Sequence, residues 1–181
     1  MHLRFGPFRS GYPEVEQGDW MSKRAQIVAA QIVGLGASFA VIWFAMGSSG
    51  GFMPINVALT AAFLPSGLVA LAMVASVALR RLGDDDVVAG GALKPGSRAD
   101  TDQRALANTV EQIVVALAVL PFVALALGGF VVIWIGLALA AGRVLYWLGY
   151  HLSPAVKSLG FALGLYPTVI ALGWSVVNWP F

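Results

Sequence analysis

The sequence predicts an all-α fold, a polytopic transmembrane helix bundle. Charged residues make up only 11% of the 181 positions and hydrophobic ones 59%, against about 25% and 45–50% in an ordinary soluble domain. The mean hydropathy is +0.80. The apolar residues also fall into five runs, each near the roughly 20 residues that cross a bilayer core about 30 Å thick. So little charge cannot clothe a water-soluble surface, which excludes an ordinary soluble enzyme and a disordered chain. Cysteine is absent, excluding a disulfide scaffold, a thiolate nucleophile and a Cys-ligated metal. His2 and His151 are too far apart to suggest a metal site, and a net charge of +2 is too small to draw nucleic acid. The lipid bilayer is the expected partner.

The spans follow in order. Residues 1–24 form a polar tail punctuated by Gly6, Pro7, Gly11 and Pro13. Span A, about Ala25 to Met46, is longer than the apolar core of a signal peptide. It is read as a retained anchor, with cleavage near Ala45-Met46-Gly47 as the alternative. Span B covers about Ile55 to Leu79, C about Ala105 to Leu127, D about Phe130 to Gly149, and E about Ser158 to Asn178. The one long connection, Arg80 to Gln103, is expected to be polar and flexible, with Asp84, Asp85 and Asp86 forming a solvated acidic turn. Pro65, Pro121 and Pro167 fall inside spans, where neighbouring helices accommodate a kink. Gly160-Phe-Ala-Leu-Gly164 marks either close helix packing or a chance match in a glycine-rich chain. Gln31 and Asn56 are expected to make interhelical hydrogen bonds, and His151 to be a solvated interface residue.

Basic residues set the expected orientation. Arg4, Arg9, Lys23 and Arg24 precede span A, Arg80 to Arg104 separate B from C, and Lys157 lies between D and E. The other three connections and ends carry none. This alternation predicts a cytoplasmic N-terminus, with Trp43, Phe52, Trp134, Trp174 and Trp179 forming an aromatic belt on the far side.

The few polar residues inside spans gather in two places. Arg104, Asn108 and Glu111 share one face of span C, and Arg143, Tyr146 and Tyr150 share one face of span D. Gly128-Gly129 makes C and D a tight antiparallel hairpin, which sets Arg104 level with Tyr150, Asn108 with Tyr146, and Glu111 with Arg143. Both charges of that last pair would then lie roughly 10 Å below the cytoplasmic end. One interpretation is a neutralising pair that locks the hairpin. The surplus of cations, with Arg80, Arg81 and Lys157 at the mouth, points instead to a pocket for an anionic ligand rich in hydrogen-bonding groups.

Arg104-x-x-x-Asn108-x-x-Glu111 followed by Arg143-x-x-Tyr146-x-x-Gly149-Tyr150 resembles the MAPEG family, membrane-associated proteins of eicosanoid and glutathione metabolism. The resemblance covers about residues 55–179 and makes span A, residues 25–46, an addition to a four-helix core. It implies a homotrimer that binds glutathione between subunits near the cytoplasmic side, through Arg104, Asn108, Glu111, Arg143, Tyr146 and Tyr150. It further implies glutathione-dependent transfer to, or peroxide reduction of, a lipophilic small-molecule substrate. Lys157 stands where some members carry a thiolate-stabilising arginine, with Arg81 or Arg80 nearby as a second cation. The aromatic residue that follows the family's glutamate is Gln112 here, and the proline that often comes soon after is displaced to Pro121. A non-catalytic scaffold and a small-anion carrier are the alternatives. The Ala, Val and Gly richness suggests a bacterial inner membrane.

Overall fold

The structure is a computed structural model that describes residues 17–48 and 52–179, with side chains from residue 21 onward. His2, Arg4, Arg9 and the glycines and prolines of the tail lie outside the described residues. Six helices follow one another: α1 (Gln17–Gly47), α2 (Ile55–Leu82), α3 (Asp85–Val88), α4 (Arg98–Leu127), α5 (Gly129–Leu152) and α6 (Pro154–Val177). All except α3 are long and apolar enough to cross a membrane. The expected spans A to E lie in α1, α2, α4, α5 and α6.

The helices outrun the apolar spans at their polar ends. α4 begins seven residues before Ala105 because Ser97 caps it: the Ser97 side chain accepts from the Asp100 amide at 3.2 Å, and the Asp100 carboxylate accepts from the Gly96 amide at 2.8 Å. Capping of this kind satisfies amides that the first helical turn leaves unpaired. The long connection is correspondingly shorter than expected, and α3 gives it a helical turn. The Lys94 ammonium lies 3.5 Å from Asp84 and 3.8 Å from Asp86, which ties the acidic turn back on itself.

α5 is the central helix, with 56% of its most apolar stretch buried against 17% for α1. It packs most extensively on α6, next on α2, and less on α4 and α1. Leu120, Val123, Val132, Ile135, Leu139 and Ala171 fill the core at the end away from the basic residues. Gly128, at a φ of +92°, makes the hinge into α5, a backbone conformation that glycine adopts without steric cost.

The α5–α6 seam is built on glycines. A Cβ on Gly142 would stand 2.5 Å from the Gly164 amide nitrogen, and one on Gly160 would overlap the backbone of Tyr146. Gly160 and Gly164 therefore do mark close packing, as the spacing allowed. α1 docks on the outer face of α6: Gly34 rests against Ala162, the Gln31 amide donates to the Ser158 carbonyl at 3.2 Å, and the Tyr166 hydroxyl donates to Gln31 Oε1. The Phe44 and Trp134 rings meet edge-on at 4.9 Å between α1 and α5. Asn56 departs from expectation. It is exposed, and its side chain makes no hydrogen bond to the described residues.

Candidate functional site

Six of the eight residues singled out from sequence form one continuous line across α4, α5 and α6. It begins on α4 with Glu111, which is exposed. Asn108 Nδ2 donates to Glu111 Oε2 at 3.4 Å, and Arg143 Nη1 donates to Asn108 Oδ1 at 3.0 Å. The Arg143 guanidinium lies 4.7 Å from the centre of the Tyr146 ring. The hydroxyls of Tyr146 and Tyr150 are 3.2 Å apart, with the rings edge to face at 5.2 Å. At the far end the Lys157 ammonium stands 4.7 Å over the Tyr150 ring. Cations placed over ring faces in this way are attracted by the ring quadrupole.

The expected pairing of Glu111 with Arg143 is not made. Arg143 instead reaches Asn108, and its Nη2 donates to the Gly160 carbonyl at 3.0 Å. The cause is the glycine seam. Without side chains at Gly160 and Gly164, the guanidinium folds down onto the α6 backbone rather than extending along α4. Arg143 is consequently 0% exposed. No carboxylate among the described residues lies within ion-pair distance of it. A buried charge is stabilised only by well-aimed partners, and its Nε has none.

Arg104 and Arg81 stand apart from the line. Arg104 pairs with Asp100 one turn earlier, Nη2 to Oδ2 at 3.0 Å, and its side chain is 64% exposed. Arg81 is exposed and donates to Gln103 Oε1 at 3.2 Å on the α2–α4 side of the bundle.

Sequence reasoning missed two residues. Gln112 is buried with both amide heavy atoms unpartnered. Its Oε1 crowds the same spot on Gly164 as the Arg143 guanidinium: a Cβ there would meet Arg143 Nη2 at 2.6 Å and Gln112 Oε1 at 2.8 Å. The signal was its position one turn beyond Asn108. Asp102 is the second. Its side chain is 0% exposed, and its two oxygens accept from Ser76 Oγ at 2.8 Å, Arg80 Nε at 2.6 Å and Trp147 Nε1 at 2.9 Å, with His151 Nε2 also at 2.9 Å. His151 is therefore a partner of a buried carboxylate rather than a purely solvated residue, and Arg80 is committed to the same group. The signal was two pairs of donors at helical spacing, Ser76 with Arg80 and Trp147 with His151.

The hollow beside the tyrosines is small. Gly149, Tyr150, His151, Ser153, Pro154 and Lys157 enclose about 190 Å³, below the 300–1,000 Å³ typical of small-molecule sites.

A model of the MAPEG family matches residues 57–177. The chain belongs to the MAPEG family. The match runs from the start of α2 to the end of α6, so the whole line from Glu111 to Lys157 lies inside the MAPEG unit and α1 lies outside it. No curated protein and no solved structure matches the chain. The described bundle is thus a MAPEG membrane helix bundle with one further apolar helix packed on α6.

Proposed function

We propose that this MAPEG protein is a glutathione-dependent membrane enzyme that transfers the thiol to a lipophilic electrophile or reduces a lipophilic peroxide. The observation that carries the proposal is the unbroken polar line, exposed at Glu111 and anchored at a wholly buried Arg143. Glu111 lies seven residues beyond Arg104, the last residue before the apolar part of α4, roughly 10 Å along the axis. An exposed carboxylate within the apolar part of a membrane helix is costly. A ligand or a neighbouring subunit must cover it. A homotrimer would supply a second wall beside the hollow at Tyr150.

Glutathione suits the groups present. Glu111 and Asn108 would hold its ammonium end, and exposed Arg104 a carboxylate. Tyr146 and Tyr150 would direct their hydroxyls at the thiol. Arg143, being buried, would act through Asn108 and Tyr146. Lys157 would favour the thiolate as a point charge. In transfer, the sulfur lone pair forms a C–S bond and the leaving group departs with the bonding electrons. With a peroxide, the sulfur takes one oxygen and releases an alcohol. A second glutathione then converts the sulfenic acid to the disulfide and water.

The basic ends of the helices set the orientation. Lys23 and Arg24 at the start of α1, Arg80 and Arg81 at the end of α2, Arg98 and Arg104 at the start of α4, and Lys157 at the start of α6 all lie at one end of the bundle. By the positive-inside rule that end and the N-terminus are cytoplasmic, in a bacterial inner membrane.

Thermal unfolding of the purified protein tests the proposal. Glutathione at 100 times its Kd should stabilise by about 2.7 kcal/mol, and Glu111→Gln should abolish the shift. No shift at millimolar glutathione, with Glu111→Gln only lowering trimer yield, would favour an assembly scaffold, a role that the full burial of Arg143 also suits. Uptake of small anions by proteoliposomes would identify a carrier.

A further inference from the structure

Asp102 sits on α4, four residues from its start, with no exposed side-chain surface. An ionised carboxylate has room for about four donors, and Asp102 is approached by four: Ser76 and Arg80 from α2, Trp147 and His151 from α5. Three helices therefore converge on one carboxylate, and Arg80 supplies its countercharge.

The geometry on α5 connects this hub to the tyrosine pair. Trp147 and His151 follow Tyr146 and Tyr150 by one position each. One residue is about 100° of helix rotation. The same two turns thus present one pair to Asp102 and the other to the line running from Arg143 to Lys157. A rotation or slide of α5 that detached Trp147 and His151 from Asp102 would move both tyrosines with them. On the opposite side, Gly149 and Gly160 place α5 against the α6 backbone with no side chain between, which limits translation but leaves polar bonding to Asp102.

We propose that Asp102 is a positioning residue: through its bonds to Trp147 and His151 it sets the rotation and depth of the end of α5, and so the placement of the Tyr146–Tyr150 pair. It touches no ligand itself. The ligand-binding consequence rests on the glutathione site proposed above; the positional claim does not.

The full-length protein in detergent, with its tyrosines replaced by 3-fluorotyrosine, gives a direct reading. There are only four tyrosines in the sequence, so each ¹⁹F signal is assigned by a single Tyr→Phe change. Trp147→Phe deletes one donor to Asp102, His151→Leu deletes another, and His151→Gln keeps an N–H at similar reach. Trp147→Phe and His151→Leu should shift the signals of Tyr146 and Tyr150, leave that of Tyr166 in place, and weaken glutathione binding about tenfold, the equivalent of losing one charge-assisted bond. His151→Gln should restore most of both. Unmoved Tyr146 and Tyr150 signals in both deletion variants would overturn the proposal, as would a shift of Tyr166 equal to theirs, the mark of general loosening. If the unaltered protein binds no glutathione, the proposed function falls, and the ¹⁹F signals still decide the role of Asp102. Asp102→Asn, where it folds, should exceed both deletions.

Discussion

Arg143 is the residue on which the polar line turns, and its planar fork matters more than its charge. One nitrogen donates to Asn108 and another to the Gly160 carbonyl. Lysine cannot make both bonds in that plane. Arg143→Lys should therefore orphan one acceptor and cost about 1–3 kcal/mol, read as a lower midpoint in a reversible unfolding titration. Gly160→Ala should cost a similar amount, about 1–3 kcal/mol by overpacking, because its Cβ would overlap Tyr146. Gly173→Ala, with nothing near its Cβ position, should leave the midpoint unchanged. The membership of the line was legible in the sequence because charged and phenolic residues are conspicuous in apolar spans. Its bonding was not. Constant-sum register gives depth along two helices and is blind to a third, whose glycines leave the Gly160 carbonyl open to the Arg143 guanidinium. Asp102 escaped notice for another reason: it precedes the expected apolar span among residues that read as solvated, and only the convergence of α2 and α5 buries it.

At the scale of the element, the five spans were legible and their polar ends were not. Ser97 and Asp100 carry a capping signature that extends α4 well before its apolar run, and hydropathy is blind to caps. α1, expected to be an addition to a four-helix core, lies outside the MAPEG match. Its attachment is specific nonetheless. Gln31 bonds both the Ser158 carbonyl and Tyr166, and Ser38 is buried. Hydrogen bonds between membrane helices contribute about 0.6 kcal/mol each on average, so Gln31→Ala should weaken α1 docking by roughly 1 kcal/mol. A reversible unfolding titration should report that loss as a lower midpoint.

The molecule as a whole is polarised. Charge, the tyrosine pair and the Asp102 hub occupy one end; Trp43, Trp134 and Trp174 occupy the other. The absence of cysteine makes orientation measurable. A single cysteine at Asp85 should react with an impermeant maleimide only once the cell membrane is opened, and one at Asn178 should react in intact cells. The reverse pattern would place the polar line on the outer side and remove its access to cytoplasmic glutathione. Native mass spectrometry should give a trimer, the assembly that the proposed function calls for.

The α5–α6 seam also has an entropic side. Helices in a bilayer are formed before they associate, so the conformational freedom that glycine gives up has already been surrendered at insertion. What remains to be lost on docking is rotamer freedom, which is zero for glycine and up to about 2 kcal/mol for a long side chain. By meeting through Gly142, Gly149, Gly160 and Gly164, the two helices bring their backbones together while immobilising almost nothing. Arg143, wholly buried over the seam, is the long side chain that gives up its rotamer freedom there.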